Sequence, residues 1–255
     1  MFHVVIPARF AATRLPGKPL LSIEGKSLLQ WVWECARDSG ATSVTVATDD
    51  ERIQAAARAF GADCELTSNA CESGTDRVAE LVRRLGFENS DVVLNLQGDE
   101  PLTPPALLFD LAHVLLTNPT VEIATAIAPI GSLQEFRDPN IVKALRARDG
   151  RALYFSRAPV PWPRDDVLNG SPMSFKGAWR HIGVYGYRVT SLLKFSSWLP
   201  TVLEKAEKLE QLRALENGML VHLLTLAESP PAGVDTLEDL QRVREFVAKR
   251  SLAQN

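Results

Sequence analysis

The N-terminal half of the chain alternates short apolar runs with segments of helical periodicity, which leaves few folds open to it. The runs at 2–6, 43–48 and 91–96 are largely apolar or β-branched. Such runs are typical of strands buried on both faces of a parallel sheet. Helical patterns follow them after short connections, at about 27–36 and 50–60. The order predicts an α/β fold with a mostly parallel, doubly wound sheet.

Polar residues predict where several helices begin. Asp49 is expected to cap the helix at 50–60, and Thr103 is expected to cap a helix whose first residue is Pro104. The segment Asp235 to Glu238 has the spacing of an N-cap followed by a capping-box glutamate. Its residues alone therefore favour a capping role for Asp235, although a capping carboxylate is also able to face a metal ion.

The middle of the chain is less regular and predicts a β-rich lobe inserted into the same domain. Segments 141–145 and 152–155 are expected to pair across the turn signal Asp149-Gly150. We expect one domain over residues 1–255, with this lobe at about 130–215.

Beyond this hairpin, prolines predict a loop at about 159–174, and strands are expected at 182–187 and 221–226. Between those strands, leucines and alanines from Leu203 to Leu215 are spaced along one helix face. Asn217-Gly218 is expected to end that helix.

Charge and composition exclude several classes of protein. The 255 residues carry a net charge of −3, which gives no electrostatic case for binding duplex nucleic acid. No apolar run approaches the roughly 18 residues that a membrane span needs. Three cysteines without CxxC spacing argue against a disulfide framework, and the N-terminus does not resemble an export signal. We expect a cytoplasmic protein that binds neither nucleic acid nor membranes.

A basic loop leaves the first strand at the sheet edge where α/β proteins bind ligands. It carries Arg9, Arg14 and Lys18 around Gly17. Backbone N–H groups and cations in such a loop are able to hold a triphosphate. The loop lacks the order of a Walker A motif, and a solvated basic turn is the alternative.

The third apolar run ends in Gln97-Gly98-Asp99, so Asp99 is expected at the same sheet edge as the basic loop. Magnesium prefers one or two carboxylates together with phosphate oxygens and water, so Asp99 is a candidate metal ligand. A simple turn aspartate is the alternative.

Further polar residues suit ligand contacts or ordinary structural roles. Ser73 precedes a helix whose N-terminus suits an anion, and Arg157 is able to hold a carboxylate bidentately. His181 and Tyr185 share a face if their segment is a strand, although Tyr185 would also suit the core. Glu210 lies on a helix where most charges are solvated.

Taken together, these segments closely resemble the 3-deoxy-manno-octulosonate (KDO) cytidylyltransferases over essentially the whole chain. The resemblance is carried by 9–20, 97–101, 154–157, 180–187, 209–213 and 233–240. It implies a fold like that of the nucleotide-diphospho-sugar transferases. It also implies transfer of CMP from CTP to the anomeric hydroxyl of KDO, in a cytoplasmic homodimer that supplies activated KDO for lipopolysaccharide biosynthesis.

The resemblance also implies roles for individual residues. The residues expected to contact the nucleotide are Arg9, Arg14, Lys18, Ser73 and Arg77. The residues expected to contact the sugar are Gln97, Arg157, His181, Tyr185, Glu210 and Gln211. Magnesium is expected on Asp99 and Asp235, which with Lys18 form the catalytic set. The alternatives are a cytidylyltransferase for 8-amino-KDO or another acid sugar, and a CTP-binding regulator without activity.

Overall fold

Strands and helices alternate along the chain in the computed structural model, which describes residues 1–11 and 15–254, with side chains to residue 249. Within these residues the strands are β1 (Phe2–Ala8), β2 (Ser22–Ile23), β3 (Lys26–Ser27), β4 (Ser43–Thr48), β5 (Asp63–Leu66), β6 (Val92–Asn95), β7 (Ile123–Pro129), β8 (Lys143–Arg146), β9 (Ala152–Ser156), β10 (Trp179–Arg188) and β11 (Val221–Thr225). The helices are α1 (Leu28–Arg37), α2 (Glu51–Ala59), α3 (Gly74–Leu85), α4 (Pro105–Thr117), α5 (Leu133–Arg137), α6 (Arg164–Leu168), α7 (Val189–Phe195), α8 (Val202–Glu207), α9 (Gln211–Glu216) and α10 (Leu237–Gln254). A 3-10 turn spans Lys18–Leu20. No helix in the described ranges is long and apolar enough to cross a bilayer.

The main sheet has the strand order β11-β7-β10-β6-β1-β4-β5 in the described chain, with β8 and β9 attached beside β10. Strand β1 lies near the centre, parallel to both β4 and β6. Strand β10 is antiparallel to its neighbours β6 and β7. The sheet is therefore mixed but mostly parallel, as the sequence predicts, and the carboxyl ends of β1, β4 and β6 meet at one edge.

Helices cover both faces of the sheet. Strand β1 is buried along its whole length, through Pro7 to Ala8. Val4 and Ile6 join one apolar cluster with residues of α1 and α4, whereas Val5 joins a second cluster with residues of α3 and α7. Successive strand side chains point to opposite faces, so burial on both faces explains why this strand is an unbroken apolar run.

Two helix starts differ from the prediction by one residue. Asp50, not Asp49, caps α2, because its Oδ1 accepts a hydrogen bond of 2.9 Å from the backbone N–H of Arg52. Helix α4 begins at Pro105 with Pro104 as its N-cap, so Thr103 does not cap it. Because Asp50 caps α2, the carboxylate of Asp49 is available for a partner elsewhere.

The start of α10 also corrects the prediction for Asp235. Thr236 Oγ1 accepts a hydrogen bond of 3.1 Å from the backbone N–H of Asp239, and Asp239 Oδ2 accepts one of 2.9 Å from the N–H of Thr236. This reciprocal pair is the capping box of α10, one residue later than expected. The capping prediction for Asp235 is therefore wrong.

The β-rich segment extends the main sheet. Strands β8 and β9 pair antiparallel, with Leu145 opposite Tyr154, which confirms the predicted hairpin. The expected single helix from Leu203 to Leu215 is wrong, since α8 and α9 are separated at Lys208, whose φ is 52°. The short helix α6 lies where a loop was expected. The boundaries of the lobe stay a prediction.

Candidate active site

One ammonium group joins two carboxylates at the carboxyl edge of the central strands. Lys18 Nζ lies 2.6 Å from Asp99 Oδ2 and 3.1 Å from Asp235 Oδ1. Burial favours the neutral amine, but the charge of Asp99 and the hydrogen bonds to both carboxylates outweigh it and raise the pKa of Lys18. The lysine therefore stays cationic and holds the two acids together.

Local structure places each member of this group. Gly17, with φ of 69°, turns the chain just before Lys18. Asp99 follows β6, and Gly98 permits the approach because a Cβ there would lie 2.9 Å from the carbonyl oxygen of Pro7 on β1. Asp235 arrives from the segment that enters α10. Three separate parts of the chain thus meet at one point.

Glu100 is influenced by the charges of Lys18, Asp99 and Asp235. Its place beside these residues was not predicted from the sequence. Burial raises its pKa to about 8, with further contributions from the negative charges of Asp99 and Asp235. The cation of Lys18 opposes this shift, so burial is the main reason that the carboxyl of Glu100 holds its proton.

The donor set at Asp99 and Asp235 fits magnesium. In the part of the chain that the structure describes, no three acidic, histidine or cysteine side chains form a complete metal site. Two carboxylates nevertheless match the usual protein share of a magnesium site, because phosphate oxygens and water supply the remaining ligands. A role in metal binding for these two residues stays a prediction.

A pocket of about 190 Å³ opens beside this group. It is lined by Pro7, Ala8, Arg9, Ala11, Lys18, Pro19, Gly74, Gln97, Gly98 and Asp99. Arg9 donates a hydrogen bond of 2.9 Å to the carbonyl of Cys71, which ties the basic loop to the segment before α3. Arg14 lies outside the described residues. The pocket thus joins the predicted phosphate loop to the predicted metal ligands.

Ser73 places the N-terminus of α3 at this pocket. Its Oγ accepts a hydrogen bond of 3.0 Å from the backbone N–H of Asp76, and the carboxylate of Asp76 accepts one from the N–H of Ser73. This capping box fixes the helix start, and Gly74 then lines the pocket. Contact between Ser73 and a nucleotide stays a prediction.

Arg77 does not line this pocket, contrary to what a nucleotide contact would require. Its side chain is 0% exposed, and its guanidinium donates a hydrogen bond to Thr67 and one of 2.6 Å to Asp49. A cation without access to solvent needs such a partner, and Asp49 supplies it. Arg77 therefore ties α3 to Thr67 and to Asp49, the residue that follows β4.

A chain of hydrogen bonds runs from the pocket toward the predicted sugar residues. Gln97 Nε2 donates to Asn95 Oδ1 over 2.9 Å, and Asn95 Nδ2 donates to Thr75 Oγ1 over 3.3 Å. The hydroxyl of Thr75 in turn donates to Glu210 Oε2 over 2.7 Å. Gln97 and Glu210, 113 positions apart, are therefore parts of one polar network.

Glu210 reaches this network because α8 and α9 are separate helices. It directly precedes α9, whose first residue, Gln211, is buried. Burial raises the pKa of Glu210, although the hydrogen bond from Thr75 opposes that shift. Its Oε1 is buried and makes no hydrogen bond among the described residues. The expectation of a merely solvated charge is wrong for this residue.

His181 and Tyr185 lie together on β10, with ring centroids 5.4 Å apart. His181 Nε2 lies 3.0 Å from the hydroxyl of Thr125. Burial lowers the pKa of His181 to about 3, so its ring is neutral at physiological pH. Tyr185 lies opposite Asn95 across β10 and β6, so the side chains of these two residues are on the same face of the sheet.

Arg157 fastens β9 to the turn between α8 and α9. Its Nε donates to the carbonyl of Glu207 over 2.7 Å, and its Nη1 donates to the carbonyl of Pro139 over 2.9 Å. The backbone N–H of Arg157 also donates to the carboxylate of Glu207. The guanidinium is thus occupied by carbonyl groups in this structure, and contact with a sugar carboxylate stays a prediction.

Sequence reasoning missed Asn95, Thr75 and Thr125. Asn95 had a usable signal, since it lies two residues before Gln97 and strand side chains two apart share a face. The contacts of Thr75 with Glu210, 135 positions away, and of Thr125 with His181, 56 positions away, had no local signal.

The chain is similar over most of its length to known cytidylyltransferases. The cytidylyltransferase family model matches residues 3–222. The 3-deoxy-manno-octulosonate cytidylyltransferase of Cellvibrio japonicus is 51% identical, over 96% of this chain and 98% of its own length. That of Vibrio vulnificus is 46% identical, over 98% and 99%.

Solved structures agree with the sequence comparisons. A CMP:2-keto-3-deoxy-manno-octonic acid synthetase complexed with CTP superposes with a TM-score of 0.89 at 38% identity, covering 98% of this chain and 99% of that one. A nucleotidyl transferase from Methanothermobacter thermautotroptrophicus has a TM-score of 0.62 at 14% identity, covers 98% of this chain and 99% of that one, and shows the shared fold alone. The chain belongs to the cytidylyltransferase family, among the 3-deoxy-manno-octulosonate cytidylyltransferases.

Proposed function

We propose that this enzyme transfers CMP from CTP to the anomeric hydroxyl of KDO and releases pyrophosphate. The observation that carries the proposal is the placement of Lys18 between Asp99 and Asp235, at the edge of the pocket that the basic loop lines. Membership of the family supports the same reaction.

The reaction needs positioning and charge neutralisation more than covalent chemistry. The sugar hydroxyl attacks the α-phosphorus of CTP in line, a new P–O bond forms, and the bond to the bridging oxygen breaks as pyrophosphate leaves. Lys18 neutralises phosphate charge, and Arg9 and the start of α3 orient the nucleotide. The hydroxyl proton is lost to solvent, and no protein residue is assigned as general base.

Asp99 and Asp235 would hold magnesium. When bound there, the ion supplies Lewis-acid stabilisation of phosphate charge and lowers the pKa of a coordinated hydroxyl. The two carboxylates already accept hydrogen bonds from one cationic group, so their spacing suits a shared positive charge. Within this proposal they orient the metal, while Lys18 acts on the phosphates.

The polar network on the far side of Gln97 would hold the acid sugar. Its buried groups offer donors and acceptors to hydroxyl groups, and Glu210 Oε1, 3.9 Å from Arg213 Nη2, makes no hydrogen bond among the described residues. Because the pKa of His181 is about 3, its ring is neutral at physiological pH and would act as a hydrogen-bonding group without adding charge. We assign Tyr185 and Gln211 to the same pocket and Arg157 to the sugar carboxylate.

We also propose a homodimer. Large apolar side chains are exposed in the predicted lobe at about 130–215, namely those of Leu153, Trp162, Leu168, Leu199 and Val202. Contiguous exposed apolar surface marks protein interfaces, so these side chains are candidates for the dimer contact. The cytoplasmic location and the supply of activated KDO for lipopolysaccharide biosynthesis stay predictions from the resemblance.

The direct test is pyrophosphate release with magnesium and CTP in the presence of KDO, 8-amino-KDO or no sugar, with UTP replacing CTP as the nucleotide control. Release that requires both CTP and KDO is the expected result. Faster release with 8-amino-KDO would change the assigned sugar. Measurable CTP binding without release for any sugar would favour a regulator instead.

A further inference from the structure

The segment before α10 approaches the Asp99 loop too closely for a side chain. A Cβ built on Gly233 would lie 2.8 Å from the carbonyl oxygen of Asp99 and 2.7 Å from Glu100 Oε1. The φ of Gly233 is outside the left-handed range, so the close approach, not backbone conformation, is what requires glycine here. Part of the obstruction is backbone, which cannot rotate away.

Neighbouring contacts fix the same segment on both sides of this approach. The backbone N–H of Val234 donates a hydrogen bond of 2.8 Å to the carbonyl of Asp99. The Val234 side chain is buried with Leu240 and Val243 of α10. The N–H of Asp235 donates to Asp239 Oδ2 over 3.0 Å. The position of the Asp235 carboxylate therefore depends on how residues 233–234 pack against Asp99.

We propose that Gly233 is a positioning residue for the cation site, because its missing side chain lets residues 233–235 dock onto Asp99 and sets the separation of the Asp99 and Asp235 carboxylates. The inference rests on the proposed magnesium-dependent reaction. A methyl group at 2.8 Å from a carbonyl oxygen forces a displacement of about half an ångström to reach ordinary contact. Functional groups tolerate displacements of about that size poorly.

The test is Gly233→Ala, which adds one methyl group and leaves every charge in place. Mn²⁺ would be titrated by electron paramagnetic resonance in the presence of CTP and the absence of sugar, so that no turnover contributes. We expect Mn²⁺ binding about tenfold weaker than in the unaltered enzyme, in line with the usual cost of altering a group that orients metal ligands. In turnover, the Mg²⁺ concentration for half-maximal rate is expected to rise while the KM for the sugar stays the same.

Gly131→Ala is the matched control. Its added Cβ would meet only Glu135 Oε2, at the ordinary contact distance of 3.7 Å, and Gly131 lies outside the site. Its Mn²⁺ affinity is expected to equal that of the unaltered enzyme. Equal Mn²⁺ affinity in Gly233→Ala and the unaltered enzyme would overturn the inference.

Two further outcomes keep the inference and the proposed reaction separate. If the unaltered enzyme releases no pyrophosphate, the reaction fails, whereas the Mn²⁺ comparison still reports on Gly233. If Gly233→Ala does not fold, amide hydrogen exchange in the unaltered enzyme replaces it. Protection of the Val234 amide comparable to that of β6 is expected, and exchange at the rate of an unstructured peptide would overturn the docking.

Discussion

Lys18 Nζ lies 2.6 Å from Asp99 Oδ2, although the two residues are 81 positions apart in the chain. The contact joins the loop after β1 to the loop after β6, and these strands are parallel neighbours in the sheet. Their carboxyl ends therefore open at the same edge, and side chains from both loops meet in front of one pocket. This placement makes the two residues the first targets for substitution.

Asp99→Asn is expected to remove most turnover and to preserve part of the CTP binding. The amide keeps the size of the side chain but loses the negative charge that holds a cation. Turnover is measured by pyrophosphate release and CTP binding by calorimetry. Asp110→Asn, at an exposed position on α4, is the control and should behave as the unaltered enzyme. Near-normal turnover in Asp99→Asn would remove this residue from the metal site.

Arg157→Ala is expected to raise the KM for the acid sugar and to leave the KM for CTP nearly unchanged. The substitution removes the guanidinium and also its bonds to the carbonyls of Pro139 and Glu207. Steady-state kinetics with each substrate varied in turn gives both constants. The exposed Arg164, on α6, supplies the control Arg164→Ala. An unchanged KM for the sugar would exclude Arg157 from the sugar site.

Arg77→Met is expected to lower the stability of the fold and to affect nucleotide binding less. Removing a fully buried cation leaves Asp49 without its partner and lowers the free energy of unfolding by about 3 kcal/mol. Denaturant titration measures this loss, and Arg58→Met, at an exposed site on α2, is expected to cause little change. A large rise in the KM for CTP at unchanged stability would instead support a direct nucleotide contact.

His181 is expected to make the folded protein less stable in acid. Its pKa is about 3 in the folded protein and 6.5 in a model peptide, so the unfolded chain takes up the proton first. The contribution of His181 to stability is complete above pH 6.5 and is lost as the pH falls from 6.5 toward 3. His181→Gln should therefore lose less unfolding free energy than the unaltered protein between pH 7 and pH 4.5.

The control for this pH dependence is His113→Gln, since His113 is exposed on α4. Its stability is expected to follow that of the unaltered protein over the same pH range. If His181→Gln and the unaltered protein lose equal unfolding free energy on acidification, the histidine is not held in its neutral form by the fold.

The local sequence pattern is sufficient to predict the sheet and the edge of the sheet at which the candidate site lies. Runs of apolar residues predict β1, β4 and β6, because strands buried on both faces have no polar alternation. The same reasoning places Lys18 and Asp99 at one edge. Helix starts are predicted to within about one residue, since neighbouring polar side chains compete for the same N–H groups.

Long-range packing assigns partners that no local pattern contains. Arg77 pairs with Asp49, and Glu210 accepts a hydrogen bond from Thr75, 135 positions away. Asp235 matched a helix cap by spacing, but the cap belongs to Thr236, and Asp235 meets Lys18 instead. A buried charge takes whichever partner the packed elements bring within reach, and that choice depends on the whole fold rather than on neighbouring residues.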